Sequence, residues 1–335
     1  MSLVSLGDMA QSFLLRRQSM AAKLDISRLS TELTTGRTAD LGRHLSGDLV
    51  PFSALDTSLA RLKGFSTVTK DAGVYLGAMQ ATLGSFTQMG GDLSRVLMSA
   101  ASGQTALGVD AAGLKAEQSF QTAVSMLNTQ VGGQTLFAGD RTQGTAIASA
   151  DAILQQIEAA ITLSGAVSAQ DVELAVANWF AAPAGFGLTG YLGGPPLAVL
   201  QIAPGESVTR DITAADPALV KNLQALATAA LLGRGLFVGQ PAARQDLARR
   251  TGVALLEGQS DLTYLSARLG NNEAQVDEAA TRNAAEGASL EMARNALVAV
   301  DPYETASKLQ ESQAQLEKIF LITARMSKLS LTEYM

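Results

Sequence analysis

The single histidine of the 335-residue chain, His44, is the first residue to consider for catalysis or metal binding. One histidine is enough for a nucleophile–histidine–carboxylate triad, whereas a multi-histidine metal site needs several. The flanking residues Leu41 to Ser46 supply no suitably spaced carboxylate or nucleophile. Because the chain also lacks cysteine, thiolate ligands and thiol nucleophiles are excluded. We therefore predict no catalytic residue, no metal site and no cofactor.

Carboxylates that could form a catalytic acid and base pair occur as Asp277 with Glu278, and as Glu286 with Glu291. Both pairs lie in Ala- and Gln-rich sequence of helical character, without other polar groups concentrated around them. We interpret them as the solvated face of a long helix.

Glycine-rich and aromatic stretches offer two further candidates for ligand binding. Residues 185–190 contain three glycines. A dinucleotide-binding site needs a strand before such glycines and a helix after them, and the sequence predicts neither here. Gly132-Gly133 lacks the lysine of a phosphate-binding loop. Trp179, Phe180 and Phe186 could line an aromatic pocket, although the core of a small domain uses such residues more often.

The charge balance excludes several classes of partner. The chain has 25 basic and 31 acidic residues, a net charge of -6, and no stripe of Lys and Arg, so we expect no nucleic-acid binding. No apolar run approaches the roughly 18 residues that a membrane span needs, so we expect no membrane insertion. Arg16-Arg17 follow the first apolar residues, which is the wrong order for a cleaved signal peptide.

Helices are expected to position the candidate residues. The eight prolines indicate where long helices can form. Residues 52–182 and 242–301 contain no proline, whereas five prolines lie between 183 and 217. The apolar periodicity predicts one long helix over 54–101 and another from Asp110 to Gln130. A further helix is expected from Pro241 to Leu269, with an interruption at Gly270–Asn272 and a continuation to Val300.

The proline-rich middle predicts shorter elements. Ser168 and Asp171 can form a capping-box contact at the start of a helix. The runs 197–202 and 207–213 flank a Pro-Gly turn, which predicts a hairpin. Asp216-Pro217 is typical of the first residues of another helix. We expect a small mixed α and β domain here.

Both ends of the chain are predicted to be amphipathic helices of about 30 residues. The C-terminal helix is expected to begin at Asp301-Pro302-Tyr303-Glu304, which supplies an N-cap, a proline in the first turn and an early glutamate. The apolar side chains that we expect to bind partners in assembly are, on these two helices, Leu6, Met9, Phe13, Met20, Leu24, Leu309, Leu316, Ile319, Phe320, Ile322, Met326 and Leu329.

The two terminal helices are expected to pair antiparallel, each covering an apolar stripe of the other. Apolar residues on their outer flanks would then allow lateral association. The fold class predicted from these patterns is mainly α: an elongated helical bundle with paired N- and C-terminal helices and a small inserted α+β domain.

Three segments resemble the bacterial flagellin superfamily. The ending Ser330 to Met335, "SLTEYM", is similar to the ending of hook-filament junction proteins, the smaller hook-associated proteins. Residues 127–139, "LNTQVGGQTLFAG", are similar to the end of a helix in the inner domain of the family. Residues 265–273, "LSARLGNNE", resemble the helix interruption that flagellins carry. The segment 38–44 departs from the family pattern after Gly36-Arg37.

The resemblance implies a flagellin-like bundle of three parts. These are a terminal coiled-coil shaft of 1–45 with 302–335, an inner helical domain of 46–145 with 240–301, and a variable insert of 146–239. The implied function is that of a non-enzymatic adaptor at the junction of hook and filament, secreted by the flagellar type III apparatus. The implied partners are neighbouring copies, the other hook-associated protein, flagellin, and an export chaperone on the C-terminal helix.

Two alternatives remain open from the sequence. One is a filament flagellin, which the "SLTEYM" ending disfavours. The other is a secreted coiled-coil effector or regulator with a small enzymatic insert, for which Asp171, Glu173, Arg210 and Asp211 are the polar candidates.

Overall fold

The computed structural model describes residues 6–103 and 105–332, with the side chains of 10–103 and 105–326. It is 74% helical with two small antiparallel sheets, so the predicted mainly α class with paired terminal helices and a small β-containing insert is confirmed. In chain order the elements are α1 (Leu6–Thr35), α2 (Leu41–His44), α3 (Val50–Ser102), α4 (Ala106–Leu127), β1 (Gln130–Val131), β2 (Gln134–Thr135), α5 (Ala150–Ser164), α6 (Ala169–Ala181), a π-helix (Phe186–Gly190), β3 (Leu197–Ala203), β4 (Glu206–Arg210), α7 (Pro217–Ala230), α8 (Pro241–Val298) and α9 (Pro302–Thr332).

The chain divides into two compact units. The first consists of Met1–Lys63 with Ala284–Met335, and the second of Gly64–Asn283. Helices α3 and α8 contribute residues to both. The three-part division drawn from the sequence remains a prediction.

The second unit contains the main hydrophobic core. Its helices meet through many small side chains, most of them alanine. In α4 the buried residues include Ala112, Gly113 and Ala116, and α4 packs on α7. A Cβ atom on Gly113 would lie 2.7 Å from the backbone nitrogen of Gly233. This glycine therefore allows two backbones to touch.

Helix α8 runs without the interruption that the sequence predicted at Gly270–Asn272. That prediction is wrong for a physical reason. A glycine within a helix costs only about 1 kcal/mol relative to alanine. The buried side chains of Leu265 and Leu269 before it, and of Val276 after it, hold both halves of the helix in register against the core.

Several local signals act as predicted. Ser168 and Asp171 form the capping box of α6, and hydrogen bonds from the Ser168 hydroxyl and backbone lower the pKa of the Asp171 carboxyl. Strands β3 and β4 form the expected antiparallel hairpin, whose turn residue Gly205 has a φ of +78°. The Asp216 and Asp301 carboxylates accept backbone N–H bonds at the start of α7 and α9.

A buried arginine that the sequence did not single out holds the loop between α7 and α8. The Arg244 guanidinium donates to the carbonyl oxygens of Leu236, at 2.7 Å, and Leu232, at 2.9 Å. It also pairs with the Asp110 carboxylate of α4 at 2.8 Å. The side chain is only 8% exposed. One residue therefore joins α8, the loop and α4.

Arg244→Ala is expected to lower the free energy of unfolding by about 3 kcal/mol, because the buried Leu232 carbonyl and the part-buried Leu236 carbonyl lose a charged donor. Chemical denaturation monitored by circular dichroism measures the change. Arg249→Ala is the matched control: it lies on the same helix, is 57% exposed and pairs with Asp246, so it should cost less than about 1 kcal/mol. Equal effects of the two substitutions would contradict this role for Arg244.

Candidate assembly surface on the terminal helices

Helices α1 and α9 lie against each other in antiparallel orientation within the first unit. At one end, the Val300 N–H donates to the Gly36 carbonyl oxygen at 3.2 Å, and Arg37 and Ala299 form an antiparallel bridge. Farther along, the Lys23 ammonium lies 5.7 Å from the centroid of the Phe320 ring. The predicted pairing of the two ends of the chain is therefore confirmed.

Helices α1 and α9 pack on each other, and the side chains buried or half-buried along them repeat at steps of three and four residues, as in a coiled coil. We name this set the seam. On α9 the seam residues, all buried or half-buried, are Thr305, Leu309, Ser312, Leu316, Ile319 and Met326. On α1 they are Leu15, Ser19, Ala22, Ile26 and Leu29.

The predicted stripe of α9 divides between the seam and the surface. Leu309, Leu316, Ile319 and Met326 belong to the seam. Phe320 and Ile322 flank it and are 52% and 47% exposed. Leu329, like Leu6 and Met9 at the other end of the chain, lies outside the described side chains.

The predicted stripe of α1 does not face α9. Phe13, Met20 and Leu24 are 67%, 70% and 72% exposed. At 3.6 residues per turn they lie roughly half a turn away from Ala22 and Leu29. The expectation that α9 covers this stripe is therefore wrong. The buried and half-buried row of α1 instead alternates larger side chains, Leu15, Ile26 and Leu29, with the small Ser19 and Ala22.

The turn after α1 is organised by Glu32, a functional candidate that the sequence analysis missed. Its carboxylate is buried and accepts the Ala39 N–H at 3.0 Å and the Arg28 guanidinium at 3.3 Å. The Thr38 N–H in turn donates to the Val298 carbonyl oxygen at 2.9 Å. The spacing of Arg28 and Glu32, four residues apart on one helix, was the available signal. These hydrogen bonds join the end of α1 to the end of α8.

The remaining chemical candidates are His44 and the two carboxylate pairs. His44 is exposed at the end of α2, Glu278 pairs with Arg282 on its own helix at 3.3 Å, and Glu286 and Glu291 are exposed. Asp277 is also exposed. Each of these residues lies on the solvent-exposed surface of a helix.

The polar candidates of the insert have separate structural roles. Asp171 caps α6, Glu173 pairs with Arg250 at 3.1 Å, and Asp211 pairs with Arg268 at 3.3 Å. The Arg210 guanidinium lies 6.0 Å from the centroid of the Tyr75 ring. The structure therefore brings no two of Asp171, Glu173 and Arg210 into direct contact.

The aromatic residues of the insert pack on one another. The Phe180 ring centroid lies 4.9 Å from that of Trp179 and 5.1 Å from that of Phe186. Phe180 and Phe186 are buried in the core of the second unit. These rings form part of the hydrophobic core. This is the more frequent role of such residues in a small domain, compared with lining a ligand pocket.

No group of three or more His, Cys, Asp or Glu residues within the described part of the chain is arranged to hold a metal ion. No helix within residues 6–103 and 105–332 combines the length and apolar character that crossing a membrane requires.

Comparisons with known proteins bear on the fold. No protein-family model matches the chain, and no curated protein does. The chain is similar to the solved structure of a protein from Vibrio parahaemolyticus described as a flagellar hook-associated protein, with a TM-score of 0.52 and 13% sequence identity. The match covers 73% of this chain and 95% of that one. At this identity the likeness concerns the fold: the chain has a fold like that of a flagellar hook-associated protein.

Proposed function

We propose that this protein is a structural subunit of the bacterial flagellum that joins the hook to the filament. The observation that carries the proposal is the antiparallel pair of terminal helices on a fold like that of a hook-associated protein. The "SLTEYM" ending, which resembles junction proteins, favours the junction over the filament itself. The proposed role is structural and requires no catalytic chemistry.

The assembly surface consists of the apolar side chains that the α1 and α9 pair leaves exposed. Phe13, Met20 and Leu24 on α1, with Phe320 and Ile322 on α9, are apolar groups whose burial would favour contact with neighbouring subunits. The partners are other copies of the chain, the other hook-associated protein and flagellin. Before assembly, the protein is exported by the flagellar type III apparatus with a chaperone on its C-terminal helix, and it ends outside the cell at the junction.

Deleting the gene tests this function. Electron microscopy of the deletion strain should show hooks without filaments, and flagellin should accumulate in the culture medium. Restoring the gene from a plasmid is the control for the deletion. Normal filaments in the deletion strain would refute the proposal.

The abundance of the protein in sheared flagella separates a junction adaptor from a filament flagellin. An adaptor is expected as a minor component, whereas a flagellin forms the bulk of the filament. Quantitative mass spectrometry of sheared flagella measures the ratio. Finding this chain as the major filament protein would favour the flagellin alternative and contradict the junction role.

A further inference from the structure

A cavity of about 450 Å³ lies in the second unit, between α3 and the two β-hairpins. Val68 and Val74 of α3 line it, together with Val131 of β1 and Leu200 of β3. Val74 is 63% exposed and lies on the side that opens to solvent. The volume falls within the range of about 300 to 1,000 Å³ that is typical of small-molecule sites. We name it the Tyr75 cavity, after the buried tyrosine that also lines it.

Arg210 and Asp71 are the charged groups among the described residues that line the Tyr75 cavity. The Arg210 guanidinium is half-buried and lies 6.0 Å from the centroid of the Tyr75 ring. The Tyr75 hydroxyl donates to the Leu136 carbonyl oxygen at 2.6 Å, and burial raises the pKa of the phenol. The ring is therefore neutral and gives Arg210 no counter-ion. Asp71 is exposed and forms no ion pair in the described part of the chain.

Arg210 differs from the other enclosed arginines of the second unit. The others that are buried or half-buried each pair with at least one carboxylate: Arg234, Arg244, Arg250 and Arg268. Arg210 forms no ion pair with any described residue, and its hydrogen bond to the Ala198 carbonyl oxygen is long, at 3.4 Å. A partly desolvated cation is stabilised by a paired anion. The cavity beside Arg210 has room for an anion from outside the chain.

We propose that the Tyr75 cavity binds a small monocarboxylic acid with an apolar body. Arg210 pairs with the carboxylate, for which the planar guanidinium is well suited, and Val68, Val131 and Leu200 enclose the apolar part. Asp71 lines the same cavity and repels a second negative charge, which disfavours dicarboxylates and phosphates. This binding is a separate property from the proposed junction role, whose residues lie on α1 and α9.

Saturation-transfer NMR on the purified full chain tests whether binding needs the carboxylate. The probe is 4-methylpentanoate, and 4-methylpentanamide is its uncharged match of the same shape. The acid should bind with a Kd of about 1 to 10 mM, as a ligand this small allows. The amide should bind at least about tenfold more weakly, because it cannot form the charged pair. Equal binding of the two probes would overturn the proposal.

Arg210→Gln should weaken the binding of 4-methylpentanoate at least about tenfold, because the side chain loses its charge. Arg141→Gln is the matched control. It removes the charge of an exposed arginine of the same unit that also forms no ion pair in the described part of the chain, so the Kd should not change. Circular dichroism checks that both variants are folded. An equal loss of binding in both would show a general attraction of anions and would contradict the assigned site.

Two variants test the cavity without changing Arg210. Val74→Trp should abolish binding, because the indole fills the open side of the cavity while the exposed position tolerates its size. Asp71→Asn should strengthen binding about two- to fivefold by removing a like charge. Unchanged binding to the Val74→Trp chain would place the ligand elsewhere and refute the proposal. Weaker binding to the Asp71→Asn chain would contradict the role given to the charges.

An acidic side chain of another polypeptide carries the same carboxylate, and a peptide probe separates the two sources. The blocked peptide acetyl-Ala-Leu-Glu-Leu-Ala-amide should bind more weakly than 4-methylpentanoate, because its backbone does not fit a cavity of this size. If the peptide bound about tenfold more tightly, and Arg210→Gln removed that binding, the site would serve a protein partner and the small-ligand proposal would be wrong. All of these measurements use the purified chain, so their outcome is independent of the gene-deletion experiment.

Discussion

Gly113→Val is expected to lower the free energy of unfolding of the second unit by about 3 kcal/mol or more. A Cβ atom at this position would lie 2.7 Å from the backbone nitrogen of Gly233 and 2.7 Å from the carbonyl carbon of Leu232. Because both neighbours are backbone atoms, no change of side-chain rotamer can relieve the clash. Helix α4 would have to move away from the end of α7, and both elements would lose buried contacts.

Urea denaturation followed by circular dichroism measures the loss. Gly84→Val is the matched control: it makes the same substitution in helix α3, where a Cβ atom would have nothing within 4 Å. Since valine is a better helix former than glycine, that variant should be as stable as the original chain or slightly more stable. A Gly113→Val chain that unfolds at the same urea concentration as the Gly84→Val chain would contradict the close contact of α4 with Gly233.

The elements that the sequence predicted well are those that short-range chemistry determines. Asp301-Pro302 begins α9 because the aspartate accepts N–H groups two and three residues later, at 2.8 and 3.2 Å. The capping box of Ser168 and the turn at Gly205 depend in the same way on neighbours along the chain. These signals act within one turn, so the sequence alone is enough to find them.

The errors arise where packing overrides a local signal. Gly270 suggested a break in α8, but buried leucines and valine on both sides keep the helix continuous. Periodicity suggested that Phe13, Met20 and Leu24 would face α9, whereas the seam runs along the row from Leu15 to Leu29 on the other side of α1. Which stripe of a helix faces its neighbour depends on that neighbour's shape, and periodicity carries no information about it.

The candidate assembly surface could be predicted in kind but not in detail. The sequence placed apolar stripes on both terminal helices, and the structure leaves part of each exposed. The role of Arg244 depends on Asp110, a partner distant in sequence, whereas Glu32 bonds to Arg28 and Ala39, which are four and seven residues away. The role of Arg244 therefore does not follow from the residues that flank it, while the spacing of Arg28 and Glu32 was a signal for the role of Glu32.

Ile319→Asp is expected to separate the two terminal helices while the second unit stays folded. Ile319 is the large side chain of α9 that the seam buries most completely among the described residues, at 5% exposure. Its loss removes about 2 to 3 kcal/mol of apolar burial, and a carboxylate in its place adds a desolvation cost. On α1 only Ala22, Leu29 and Glu32 are buried among the described side chains, so the pair has little stability to spare.

Hydrogen exchange measured by mass spectrometry on the isolated chain distinguishes local opening from global unfolding. Amides of residues 302–326 should lose protection at least about 30-fold in Ile319→Asp, whereas amides around Phe86 and Phe120 in the core of the second unit should keep theirs. Gln315→Asp places the same charge at an exposed position of α9 and should change little. Protection that falls in both regions together would mean that the terminal pair and the core unfold as one. Protection that falls only in the terminal helices, with filament attachment lost in cells, would show that assembly needs the seam intact even where the core is unaffected.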